Sequence, residues 1–209
     1  LELFASKGFD RSADLEARVF GQLAVSNATR QLIGIFRATS ALKKDTGLDD
    51  SQVEPRSIRK VGIVGGGLMG SGIAYVTIQN ANIPLRIKER DLDGIARGLG
   101  LVSSIYSERL EKRKISRLDI IPKMAMLSGT TDYSGFNDVD VVIEAVFEEL
   151  ALKRQVLSEV ESQCRTETIF ASNTSSIPIR QIAEGCGRPD LVVGMHYFSP
   201  VHKMPLLEI

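Results

Sequence analysis

The sequence has few cysteines, few histidines, no net charge and no long apolar run, and each shortage removes a class of function. Its two cysteines, Cys164 and Cys186, stand without metal-ligand spacing and without a framework of partners. They exclude a disulfide-stapled scaffold and a cysteine-based metal site. They read as incidental thiols of a reducing compartment, and a cytoplasmic protein is expected. The 26 basic residues are balanced by 26 acidic ones, so the basic excess of a nucleic-acid partner is missing. The local run Glu111-Lys112-Arg113-Lys114 reads as a solvated helix face. No stretch approaches the roughly 20 apolar residues needed to span a bilayer. No integral membrane segment and no signal peptide are therefore expected. There is no internal repeat and no low-complexity segment.

What is present is the balance of a soluble globular chain. The 209 residues are 43% hydrophobic and 25% charged, enough for one ordinary domain with an appendage. The chain begins at Leu1 without a methionine and ends at Ile209 just after an apolar run, so it reads as a piece of something longer. Residues 1–44 predict two helices. Leu15, Val19 and Leu23 recur every four residues, and Leu32, Ile33, Ile35 and Phe36 form a second apolar cluster. Ser26 is placed to cap the second helix. Two apolar faces without a sheet of their own are expected to dock on a neighbouring domain. Residues 45–57 are polar, contain Gly47 and Pro55, and read as a linker.

From residue 58 to 209 short apolar runs alternate with amphipathic stretches. Strands are predicted at Val61–Val64, Pro84–Glu89, Met126–Thr130, Val139–Ala145, Thr168–Ala171 and Leu191–Met195. Helices are predicted at Leu68–Gln79, Leu92–Lys114, Leu118–Met124, Leu150–Cys164 and Pro178–Glu184. The Val139–Ala145 run is almost continuously apolar, as buried parallel strands are. The alternation predicts an α/β chain of the Rossmann type, a doubly wound and mostly parallel sheet preceded by a helical segment.

Gly65-Gly66-Gly67-Leu68-Met69-Gly70 fits the spacing G-x-G-x-x-G between a predicted strand and a predicted helix, the context in which that spacing has meaning. Gly65 suits the tight turn, Gly67 the close approach of a pyrophosphate, and Gly70 the packing of helix on strand. The helix N-terminus then offers free N–H groups to the diphosphate. Glu89, at the end of the second strand, is placed to bond the ribose hydroxyls and to repel a 2′-phosphate. NAD is favoured over NADP, with Arg90 next door pulling the other way.

The two histidines are His196 and His202. His196 follows the last predicted strand, beyond whose end ligands bind in open α/β sheets. Glu208 lies twelve residues on, in the apolar run Met204 to Ile209, and a buried carboxylate there needs a partner. A base for alcohol oxidation suits an imidazole, with a carboxylate on the far nitrogen fixing its tautomer. A satisfied structural histidine fits the spacing equally well. His202 reads as a loop residue without a role. Asn173 and Ser175 lie in Ala171-Ser172-Asn173-Thr174-Ser175-Ser176. This cluster either caps the next helix through Ser176 or holds a substrate oxygen and the nicotinamide.

Four segments carry a resemblance to the 3-hydroxyacyl-CoA dehydrogenase family over Arg59 to Ile209. They are Val61 to Gly70, Val142-Ile143-Glu144-Ala145-Val146-Phe147-Glu148, the Ala171 to Ser176 cluster, and Gly194-Met195-His196-Tyr197-Phe198-Ser199-Pro200-Val201. The leader before residue 60 resembles the end of an enoyl-CoA hydratase domain and its linking helix, as in bacterial multifunctional enzymes of fatty-acid β-oxidation. The resemblance implies an NAD-dependent oxidation of L-3-hydroxyacyl-CoA to 3-ketoacyl-CoA and a thiolase β subunit as partner in the full complex. It implies His196 as base, Glu208 as its orienting carboxylate, and Ser175 on the substrate's 3-oxygen near the nicotinamide. Gly65, Gly67, Met69, Gly70 and Glu89 match the dinucleotide loop and ribose contact. Val146, Phe147 and Glu148 match the stretch along the nicotinamide ribose, Lys153 a further cofactor contact, and Lys112 a reach toward coenzyme A phosphates.

The sequence departs from that family in two ways. Ser199 stands where the family usually has asparagine, although serine still offers a hydrogen bond to the nicotinamide region. The family's helical C-terminal domain and the hydratase site lie outside the sequence, so NAD binding with little turnover is expected of these residues alone. Two other readings compete. One is a 3-hydroxyisobutyrate or 6-phosphogluconate type of dehydrogenase, which would use a lysine. The other is a non-catalytic NAD-binding or scaffold module.

Overall fold

The computed structural model describes residues 9–45, 47 and 53–209. Residues 1–8 of the expected helical segment, and residues 46 and 48–52 of the expected linker, lie outside the described residues. The chain divides into two compact units between Pro55 and Arg56.

In the first unit, helix α1 (Phe9–Ala24) and helix α2 (Asn27–Leu42) follow one another. Ser26 caps α2, its hydroxyl oxygen accepting from the Thr29 N–H at 3.2 Å. Neither helix buries a residue. The apolar stripes read from the sequence stand exposed, including Leu15, Val19 and Leu23 of α1 and Leu32, Ile33, Ile35 and Phe36 of α2.

The second unit is built on six parallel strands: β1 (Val61–Val64), β2 (Leu85–Lys88), β3 (Leu127–Thr130), β4 (Val141–Glu144), β5 (Ile169–Ser172) and β6 (Val192–Gly194). Their order is β3-β2-β1-β4-β5-β6, so the chain reverses its direction of winding between β1 and β4. That crevice is the topological switch point at which open α/β sheets bind ligands. Helices α3 (Leu68–Val76), α4 (Leu92–Glu111) and α5 (Arg117–Ala125) follow β1 and β2, and α6 (Leu150–Gln163) and the short α7 (Ile179–Ile182) follow β4 and β5. Two more strands, β7 (His196–Tyr197) and β8 (Leu207–Glu208), pair antiparallel with each other outside the main sheet.

Apolar residues cover both faces of the sheet. Ile63, Ile87 and Ile143 pack with Ile73, Ile78 and Val102 on one side. Val64, Val142 and Phe170 pack with Val156, Leu157 and Val160 on the other. Each fully buried side chain of this size contributes roughly 1.5–3 kcal/mol relative to exposure, which is why the parallel strands read as continuous apolar runs.

Three local expectations are corrected. The helix after β1 does not run regularly to Gln79: its last turn, Thr77–Ala81, is a π turn, closed by Asn82 in the left-handed region at φ 57°. The helix expected to reach Lys114 ends at Glu111, and Arg113 takes φ 54°. Ser176 does not cap the short helix, which starts after Pro178 without a side-chain cap. Its N–H and hydroxyl both donate to Glu148 instead, at 3.1 and 3.2 Å.

Candidate active site

The glycine loop leaves β1 through Gly65, whose φ of 98° belongs to glycine; a Cβ there would sit 2.7 Å from the Ala145 carbonyl oxygen. At Gly70 a Cβ would meet the Gly65 carbonyl oxygen at 1.8 Å, so any side chain would push α3 off the turn. Gly67 is the N-cap of α3 and supplies no side-chain cap, and the space where its Cβ would point is open for 4 Å. The first N–H groups of α3 and the positive end of its dipole therefore face a cleft shaped for a diphosphate.

Glu89 follows β2 and closes this cradle. Its Oε1 accepts from the Gly66 N–H at 2.6 Å and its Oε2 from the Arg90 N–H at 3.1 Å. A cavity of about 610 Å³ opens above the loop, lined by Gly65, Gly67, Met69, Glu89, Val146 and Phe147 among others. Arg90 and Arg97 reach the same cavity. The residues present fit a dinucleotide: a backbone cradle for the diphosphate, a carboxylate for the ribose and an apolar wall for a ring.

His196 and Glu208 are brought together by β7 and β8, which pair them directly opposite one another. His196 Nδ1 lies 2.8 Å from Glu208 Oε2. A proton on Nδ1 shared with the carboxylate leaves Nε2 free to accept one. The expectation that Glu208 is buried is corrected, since its side chain is 58% exposed. Strand register makes the pair, not desolvation. The Phe198 ring lies 4.6 Å from the imidazole, centroid to centroid. The turn joining β7 to β8 contains a cis Ser199–Pro200 bond, and its Val201 packs in the core with Ile73 and Tyr75 of α3. The histidine ribbon is thus seated on the helix that the glycine loop begins.

A third group of residues joins β4, β5 and α6. Glu144, the last residue of β4, and Lys153, in the first turn of α6, are both almost wholly buried. The Lys153 ammonium donates to both Glu144 oxygens at 2.9 and 3.0 Å. The Val146 N–H and the Ser172 hydroxyl also donate to Glu144, at 2.7 and 2.6 Å. Lys153 reaches Glu148 Oε2 at 3.1 Å. Glu148 Oε1 accepts from the Thr174 hydroxyl at 2.6 Å and from the Ser175 N–H at 2.9 Å. Burial pushes the Glu148 carboxyl up, but the bonds from Thr174, Ser175 and Lys153 outweigh it and hold the group at about 2. Asn173 Oδ1 accepts from the Tyr197 N–H at 2.9 Å, which ties the loop after β5 to the residue beside His196.

The remaining candidates are scattered more widely. Phe147 is 82% exposed at the cavity mouth. Ser199 is exposed in the turn after β7. Lys112 caps the C-terminus of α4 and pairs with Glu108, one turn back. His196, Ser175 and Glu148 are not among the residues lining the cavity. Sequence reading missed Glu144 and Ser172. The available signal was one acidic residue inside an otherwise apolar strand.

Residues 60–209 match the family model described as 3-hydroxyacyl-CoA dehydrogenase, NAD binding domain. The fatty acid oxidation complex subunit alpha of Vibrio parahaemolyticus is 46% identical over 203 residues, and that of Idiomarina loihiensis is 50% identical over 203 residues. Each alignment covers 97% of this chain and 28% of the relative, so the chain spans a little over a quarter of those proteins. Among solved structures, FadB2 of M. tuberculosis superposes with a TM-score of 0.70 at 33% identity, over 73% of this chain and 53% of that one. The (S)-3-hydroxybutyryl-CoA dehydrogenase PaaH1 of Ralstonia eutropha gives 0.69 at 35% identity, over 72% and 53%. This chain is a member of the 3-hydroxyacyl-CoA dehydrogenase family and carries its NAD-binding domain.

Proposed function

We propose that the chain is the nucleotide-binding half of an enzyme that oxidises L-3-hydroxyacyl-CoA to 3-ketoacyl-CoA in fatty-acid β-oxidation. The observation that carries this is the His196–Glu208 pair, held by a strand ribbon seated on the helix that starts at the glycine loop. In this reading Nε2 of His196 takes the proton of the substrate's 3-hydroxyl. Glu208 keeps the other nitrogen protonated and stabilises the imidazolium as it forms. Ser175 donates to the 3-oxygen, and Asn173 fixes the loop that carries it against β7. The glycine loop and Glu89 hold NAD, with Val146, Phe147, Glu148 and Ser199 along its nicotinamide half. Bound NAD supplies the hydride acceptor. Lys112 serves the coenzyme A phosphates.

A lysine-based dehydrogenase finds less support. The buried Lys153 has both Glu144 and Glu148 on its ammonium. The exposed faces of α1 and α2 favour a second domain as their cover, in keeping with an enoyl-CoA hydratase portion of a multifunctional protein. A thiolase β subunit is the proposed partner, the cytoplasm the proposed compartment, and weak turnover the proposed behaviour of these 209 residues alone. Among the described residues no helix is long and apolar enough to cross a membrane.

The test is NADH formation from L-3-hydroxybutyryl-CoA and NAD by the full-length protein. Steady absorbance growth is expected. Oxidation of 3-hydroxyisobutyrate or 6-phosphogluconate instead, with none of the thioester, overturns the reading.

A further inference from the structure

His202 takes no part in the proposed chemistry, yet it stands in the turn between the two strands that make the His196–Glu208 pair. That turn is closed on itself: the Lys203 and Met204 N–H groups donate to the Pro200 carbonyl at 2.9 and 3.2 Å. Two of its side chains press into the helices beneath. Val201 is 6% exposed and fills the notch left by Gly72 of α3, where a Cβ would lie 2.8 Å from the valine Cγ2. The His202 ring meets the Tyr75 ring edge-on, 5.8 Å between centroids. Tyr75 is braced in turn by α4, through the Tyr106 ring at 4.9 Å and a 2.7 Å hydrogen bond donated by Arg109 to its hydroxyl oxygen.

His202 Nε2 is buried and has no hydrogen-bond partner among the described residues. Burial holds the imidazole below its ordinary pKa; the charges of Lys203, Arg109 and Lys112 add to the effect and that of Glu108 opposes it. The ring is therefore uncharged near neutrality, and its contribution is one of shape. We infer that His202 is a positioning residue: with Val201 it plugs the β7–β8 turn into a socket made by Gly72 and Tyr75, and this plug sets where the His196–Glu208 ribbon stands on α3. The strand end of the ribbon is tied separately, by Asn173 to the Tyr197 N–H, so the ribbon is fixed at both ends. The inference rests on the proposed dehydrogenase reading for what the ribbon does, but not for how the ribbon is held.

The test compares His202→Ala and His202→Phe with the wild-type full-length protein. Phenylalanine keeps a flat ring against Tyr75 and removes the unpartnered Nε2. In His202→Ala the kcat for NADH formation from L-3-hydroxybutyryl-CoA should fall about tenfold, the effect of a misplaced base, while KM and the NADH Kd stay within about twofold. His202→Phe should return kcat to within about twofold of wild type. Hydrogen exchange of residues 196–208, read by mass spectrometry without cofactor or substrate, should quicken in the alanine variant, return to the wild-type rate with phenylalanine, and stay unchanged in the main sheet. Should His202→Ala fail to fold, Gly72→Ala reaches the same contact from α3. A helix itself favours alanine over glycine, but the new Cβ displaces Val201, so the same fall in kcat is expected. A phenylalanine variant as slow as the alanine variant would make the imidazole's own chemistry the point and overturn the inference. So would a His202→Ala or Gly72→Ala variant whose kcat and exchange stay within about twofold of wild type, or exchange that quickens across the whole sheet. A wild-type protein that leaves the thioester unoxidised sinks the proposed reaction, and the exchange comparison still decides the plug.

Discussion

Glu89 carries two duties in one carboxylate. It anchors the glycine loop through the Gly66 N–H and presents negative charge where a ribose is expected. Arg90 and Arg97 border the same cavity, so removing the carboxylate leaves a basic surround. Glu89→Ala should therefore weaken NAD by about tenfold and narrow the preference over NADP, as read by titrating the full-length protein with each cofactor. An unchanged preference would remove Glu89 from the ribose site. Residues such as this were legible because a turn, a helix start and an acidic residue at fixed offsets form a local pattern. Glu144 was not. A lone acid in an apolar strand says that a partner exists without saying which, and its partner Lys153 approaches from the next helix. Glu208 was matched to His196 for an incomplete reason: burial was expected to force the pair, and strand register does so while the carboxylate remains exposed.

The loop between β5 and α7 shows how elements are held by distant charge. Ser176 has the chemistry of a cap, yet Glu148, 28 positions earlier, takes both its donors. A cap's hydroxyl accepts an amide proton, whereas here Ser176 donates to an ionised carboxylate, a tertiary contact that sequence spacing does not reveal. The bonds that gather the loop hold Glu148 at about 2, below the ordinary carboxyl value of 4.5. A depressed carboxyl stabilises the fold above its ordinary value, and that contribution is lost as pH falls from 4.5 through about 2. The melting temperature of Glu148→Gln should therefore lie below wild type near neutrality, and the gap should shrink as pH falls through that window. A gap that stays constant down to the lower limit would contradict the ionised contact. Helix ends elsewhere were harder to place. No glycine or proline marks the end of α4, so the charged run after Glu111 reads as more helix until Arg113 turns it.

At the scale of the whole molecule the sheet was the most legible feature. Four of its strands, β1, β2, β4 and β5, are followed by a helical stretch, and parallel strands buried on both faces leave apolar runs that stand out from their flanks. The order β3-β2-β1-β4-β5-β6 then places the crevice above β1 and β4. The β7–β8 ribbon left no such trace. Strands of two residues are too short for any periodicity to register, yet they make the His196–Glu208 contact. The first unit was legible as helices and as exposed apolar faces, and what covers those faces lies beyond what the two helices themselves contain.

The central claim is that one molecule carries a dinucleotide cradle and, on a separate ribbon, the base that makes the cradle productive. The most direct measurement compares His196→Ala with the wild-type full-length protein in two readouts, NADH affinity and the rate of NADH formation from L-3-hydroxybutyryl-CoA. The rate should fall by about a hundredfold or more, the usual worth of a positioned base, while the NADH Kd stays within about twofold, since the cradle is untouched. A rate that survives the substitution, or a rate and an affinity that collapse together, would contradict the separation of base from cradle.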